Sequence, residues 1–215
     1  MKWSIAAAVL TASSLSTALP TVPGPDTLPY RLRLQSGNAK LNNQYLTTNG
    51  TAVGVFPTST SSKPLLVYTI TDKKTSLVEL HTYPAGKDSR LLALVGEQSD
   101  GLLSLTNLPD PESIQLVPGS SFCDWKSFRL GNAGSSNPDG GRVSPKPGNS
   151  ITWAGVPQGS WVAFPVGTSG RDYTVSFKGL VDMTADARYI SIDMPIDVLY
   201  VPAYDVEDGV VTIMS

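Results

Sequence analysis

What most constrains this chain is a recurring period of two. Tyr30, Leu32 and Leu34 alternate with Arg31, Arg33 and Gln35, the pattern of a half-buried strand. The same alternation returns at Leu66/Tyr68/Ile70 and at Tyr173/Val175/Phe177. Further strand-sized runs are expected near 76–83, 90–95, 101–105, 113–117, 126–130, 160–166, 188–193, 196–201 and 209–214. Turn signals separate them: Ser36-Gly37-Asn38, Asn49-Gly50, Ser99-Asp100-Gly101 and Ser169-Gly170. No window of about eleven residues carries convincing helical periodicity; only Val181 to Tyr189 has room for a short helix. The expected fold is therefore all-β, a single domain of many short antiparallel strands.

A faint repeat favours a β-trefoil-like arrangement, with a β-sandwich or barrel as the alternative. Tyr45 to Val55 reads as strand, turn, strand, and Leu91 to Leu105 reads the same way. Trp161 to Phe177 is the candidate for a third copy. Periods of about 40–50 residues suit repeated β architectures.

The ends carry a different signal. Lys2 precedes an apolar stretch from Ile5 to Leu15, closing on Ser16-Thr17-Ala18 with small residues where a signal peptidase reads. Residues 1–18 are expected to be a cleavable signal peptide, and 19–29 a proline-rich lead-in that suits neither a helix nor a central strand. The apolar run is shorter than the roughly 20 residues that span a bilayer. The expected location is extracellular, with the cell wall as one destination. Residues 30–215 then form the β domain, with a flexible loop near 131–150 and an acidic C-terminal segment from 182. The loop holds five glycines and three prolines. The C-terminal segment holds seven acids against Arg188 alone.

Charge and cysteine usage exclude some chemistry. A formal net charge of −2 argues against nucleic acid as a partner. One cysteine, Cys123, permits no intramolecular disulfide, although exported domains of modest size usually use them. The fold must stand on its core. Cys123 is expected to be a small buried hydrophobe; pairing with another molecule and a catalytic thiolate served by His81 are the alternatives. With one histidine and one cysteine, no zinc or copper site and no other metal or cofactor is expected. There is no nucleophile elbow and no phosphate-cradling glycine loop.

No catalytic residue is assigned. Strand alternation puts His81 on one face with Glu79 and Tyr83, where a solvated histidine is the ordinary reading. Eighteen acids would make some glycosidase-like pair about 5–10 Å apart by chance. Asp124, between Cys123 and Trp125, has the most suggestive neighbours, because an adjacent aromatic can raise a carboxyl pKa. Asp205, Glu207 and Asp208 read as an exposed acidic turn, lacking the spacing of a calcium loop.

Two features have positive readings. Asn49-Gly50-Thr51 is a glycosylation sequon on a predicted hairpin turn, so Asn49 is the candidate glycan acceptor. Trp125, Trp153 and Trp161 fall near turns and, if exposed, would form a carbohydrate-binding surface; burial in the core is the competing fate of so large a ring.

The order of segments carries a resemblance. An opening strand ends in Ser36-Gly37, a strand pair follows around Leu66 to Leu94, and a tryptophan-bearing strand spans Trp125 to Leu130. Ile151-Thr152-Trp153-Ala154 then leads into Gly159-Ser160-Trp161-Val162-Ala163-Phe164. This order is similar to the PhiA-type cell-wall proteins of filamentous fungi, small secreted proteins also known as IgE-binding-like, in which a Gly-x-Trp-x-x-aromatic segment recurs. The cysteines that flank that segment in the family are missing here, and the acidic tail extends beyond its pattern. The resemblance implies a fungal secreted or wall-associated protein without catalysis, and it transfers no site residues. The expected function is thus a non-enzymatic binding or structural role, with cell-wall polysaccharide as partner. A secreted effector acting on a host protein is the alternative, and a glycosidase comes third.

Overall fold

A computed structural model describes residues 28–59, 63–86, 88–97, 101–110, 122–131, 149–156, 159–168, 170–179, 194–207 and 210–214. Among them there is no helix, and the chain is all-β as expected. The expected signal peptide, most of the proline-rich lead-in, the strands near 113–117 and 188–193, the short helix at 181–189 and nearly all of the 131–150 loop lie outside the described residues.

The strands in chain order are β1 (Tyr30–Gln35), β2 (Thr47–Asn49), β3 (Ala52–Val55), β4 (Leu66–Thr71), β5 (Val78–Thr82), β6 (Leu91–Gly96), β7 (Leu102–Leu108) and β8 (Phe122–Asp124). They continue with β9 (Phe128–Leu130), β10 (Ser150–Trp153), β11 (Ser160–Val166), β12 (Asp172–Lys178), β13 (Met194–Pro202), β14 (Tyr204–Glu207) and β15 (Val210–Ile213). Their pairing closes on itself. β1 pairs β4, β4 pairs β5, β5 pairs β9, β9 pairs β10, β10 pairs β13, and β13 returns to β1. Closure removes the unpaired edges an open sheet would present.

Three hairpins branch from this ring: β2–β3, β6–β7 and β11–β12. Their strands β3, β7 and β12 also pair with one another. The chain thus runs strand, hairpin, strand three times over. The segments 45–55, 91–105 and 161–177 singled out in the sequence are these three hairpins. Their turns rest on local chemistry. Gly50 sits at φ +63° in the two-residue turn between Asn49 and Ala52, where a side chain would be strained.

Alternation places one face of each strand inward. Leu32 and Leu34 of β1, Val67 of β4, Val78 and Leu80 of β5, Val198 of β13 and Tyr173, Val175 and Phe177 of β12 all enter one buried cluster. One stripe is displaced from expectation. On β4 it is Val67 that joins the core, whereas Leu66, Tyr68 and Ile70 share the opposite face. Tyr68 is nevertheless buried, because His81 stacks on its ring and Ser89 meets its hydroxyl at 3.1 Å. Local covering made an outer-face aromatic look like a core residue. Of the C-terminal acidic segment, β13 completes the ring, while among the described residues β14 and β15 form a two-stranded sheet of their own.

Candidate functional site

The tryptophans settle first. Trp153 and Trp161 are buried, with 4% and 3% of their surface exposed, and cannot stack on a sugar. Both pack edge-on against Phe177, at ring separations of 5.4 and 5.2 Å. Phe122 meets Trp153 in the same way at 5.9 Å. Each indole N–H has a partner: Trp153 Nε1 donates to Asp124 Oδ2 at 2.9 Å, and Trp161 Nε1 to the Ile151 carbonyl at 2.6 Å. Core burial, the competing reading for so large a ring, holds for both: they sit in the main cluster on β10 and β11. Gly159 belongs to the same cluster, since a Cβ there would overlap the Phe177 ring. The glycine and tryptophan of the Gly-x-Trp-x-x-Phe segment are therefore core packing, while Phe164 is only partly buried.

Trp125 differs. It is half-buried beside the small cluster Leu91, Ala93, Val95 and Leu108, with Lys126 Nζ 5.1 Å from its ring centroid. It is the one member of the predicted carbohydrate trio with an accessible surface. Cys123 packs against that cluster too, and burial, followed by the charge of Asp124, pushes its thiol pKa up. A raised thiol is the reverse of what a catalytic thiolate needs.

Asp124 has structural work. Its Oδ1 accepts from the Lys126 and Ser127 amides at 2.9 and 3.2 Å, while Oδ2 takes the Trp153 indole. Both oxygens are committed to holding the β8–β9 turn against β10. His81 shares a face with Glu79, as alternation requires, and its Nε2 lies 2.9 Å from Glu79 Oε2. Its ring is stacked 5.4 Å from Tyr68. Ser89 hydrogen-bonds to the Thr82 carbonyl at 2.9 Å. No triad of nucleophile, base and orienting acid is assembled among these groups. Among the described residues no group of three or more potential ligands is placed to hold a metal.

Asn49 lies exposed beside the Gly50 turn. Asp205 and Glu207 belong to β14, and Asp208 lies outside the described residues.

Sequence reasoning passed over a different set. The outer face of β1 carries Arg31 and Arg33, with Arg33 directly opposite Tyr45 across an isolated bridge. The Arg31 guanidinium stands 5.8 Å from the Tyr45 ring centroid, and its Nη2 donates to the Met214 carbonyl at 2.6 Å. The signal was present in the sequence as two arginines two residues apart on a strand, but the pairing with Tyr45 was not readable. Comparison of the chain with family models, with curated proteins and with solved structures finds no match.

Proposed function

We propose that this protein is an exported, non-enzymatic binding scaffold of β-trefoil-like build, released outside the cell or held at the cell wall. The observation that carries this reading is the engagement of Asp124. The acid best placed by sequence to do chemistry accepts three hydrogen bonds that fix a turn and an indole. The trefoil-like reading is supported by the closed six-strand ring and the three hairpins that pair around it. The export signal and the sequence resemblance to fungal wall proteins point the same way. The Asn49 sequon adds a glycan at an exposed turn.

The reading is tested by incubating the secreted protein with insoluble chitin, β-glucan and whole wall fragments, and measuring the bound fraction after washing. Retention on at least one polymer, reduced in Trp125→Ala, supports wall-carbohydrate binding. Equal loss from every polymer, with no retention above a serum-albumin control, would sink it. A mass shift on enzymatic removal of N-glycans, absent in Asn49→Gln, checks the glycan.

A further inference from the structure

We propose that Asn49-Gly50 is a self-modifying site, at which the Asn49 carboxamide is lost through a succinimide unless a glycan already occupies it. The two fates compete for one atom, because the Nδ2 that accepts an N-linked sugar is also the nitrogen that leaves in deamidation. Asn49 ends β2 and is exposed, and so are Gly50 and Thr51 in the two-residue turn that follows. This is the single Asn-Gly pair in the chain. Glycine lacks the side chain that would crowd its own amide nitrogen. The turn also stands in open space, since a Cβ placed on Gly50 would meet nothing within 4 Å. Among the described residues, the Asn49 carboxamide has no hydrogen-bond partner and the Gly50 amide donates to no carbonyl.

The other described asparagines are tied down or followed by a bulkier neighbour. Asn38 Oδ1 accepts from the Lys40 amide at 2.9 Å, and Asn42 Oδ1 from the Ser36 amide at 3.3 Å. Asn149 Nδ2 donates to the Tyr200 carbonyl at 3.1 Å, and Asn107 is buried. Asn43 is exposed like Asn49, but Gln44 follows it.

The chemistry needs only water. The Gly50 nitrogen loses its proton and attacks Asn49 Cγ, closing a five-membered imide. The bond from Cγ to Nδ2 breaks, and the amide leaves as ammonia, taking up a proton. Water then adds to one of the two imide carbonyls and restores the chain as aspartate or isoaspartate. One water is consumed, one ammonia is released, and nothing is oxidised or reduced. A sugar on Nδ2 shields Cγ and makes a poorer leaving group. Either product adds a negative charge to a chain of formal net charge −2. Isoaspartate also inserts a methylene into the backbone at the Asn49–Ala52 rung, one of the three that join β2 to β3. Losing that rung loosens the hairpin.

The inference is independent of the scaffold reading, and its failure leaves that reading untouched. It is tested on the full secreted chain carrying Thr51→Ala, which removes the acceptor motif and keeps the Asn-Gly pair. After days in mildly alkaline buffer, the chain should gain one mass unit, mapped to Asn49 before any other described asparagine. Isoaspartyl methyltransferase should label the product. Adding Gly50→Ala should slow conversion about ten-fold, since attack from a displaced geometry loses that much or more. Wild-type chains that carry the glycan should be unchanged at Asn49 over the same period.

Conversion first at Asn38, Asn42, Asn43, Asn107 or Asn149, an undiminished rate with Gly50→Ala, or equal conversion of glycosylated chains would each overturn the proposal. So would an intact Asn49 in folded Thr51→Ala over the time in which the same chain converts in urea, because the turn would then protect it. Thermal melting separates blocked attack from altered rigidity. Gly50 lies at φ +63°, so Gly50→Ala strains the turn and should melt lower; slower conversion in that weaker turn speaks for the crowded nitrogen.

Discussion

The aromatic cluster under β10–β12 and the arginine face of β1 treat polar atoms in opposite ways. In the first, both buried indole N–H groups find an acceptor, and Asp124 completes the set by taking the Trp153 indole. In the second, two guanidinium Nε atoms are sealed from water with nothing to bond. The difference separates groups that hold the fold from groups the fold merely carries. A satisfied polar atom is part of the packing, and its removal leaves a hole or an orphan. An orphaned one already costs stability, so its removal should cost little more.

That contrast breaks most easily at Phe177, which meets both buried tryptophans. Phe177→Ala should cost about 3–5 kcal/mol in urea unfolding, the usual penalty for emptying an aromatic site; a loss below about 1 kcal/mol would mean the cluster is not the core. Asp124→Ala comes next, at about 1–3 kcal/mol, because three donors including a buried indole lose their acceptor. The matching subtraction on the other region, Arg33→Leu, should change stability by no more than about 0.5 kcal/mol or raise it. A loss comparable to that of Asp124→Ala would erase the distinction between the two regions.

Smaller effects sharpen it. Asp72, in the β4–β5 turn, is held below the ordinary carboxylate range by the Lys74 amide and then by the Thr75 hydroxyl. Its folded pKa is depressed, so its contribution is present above the unfolded value and lost as pH falls through the folded one. Asp72→Asn should therefore be less stable than wild type near neutrality, the gap closing as pH drops below about 4. Melting temperatures across that range check it, and a gap that widened in acid would contradict the turn's role. Last, the raised thiol of Cys123 should react with iodoacetamide at pH 8 more slowly than a small thiol such as glutathione; equal rates would show that the β8 edge does not shield it.

Much of the architecture was legible. Alternation at Tyr30/Leu32/Leu34 and at Tyr173/Val175/Phe177 located inward faces correctly, since a period of two follows from the backbone of any strand. The hairpin at Asn49-Gly50 was readable because a glycine of positive φ is a local requirement. Leu66/Tyr68/Ile70 was misread because both faces of β4 carry apolar residues, and only the Val67 contacts show which one is core. The site was less legible. For Trp153 and Trp161 the sequence left both burial and an exposed sugar-binding face open, because it reports distance to a turn and gives no direction across a strand.

By itself, the sequence determined the all-β class, the hairpins and the lack of any internal disulfide, because each follows from residue type and local spacing. Only tertiary structure decided the rest: that β13 closes a ring against β1, that Asp124 belongs to an indole 29 residues away, and that Arg31 and Arg33 share a face with Tyr45. Those are pairings between strands distant along the chain. Burial and hydrogen-bond satisfaction are properties of such pairings, so no local pattern can carry them.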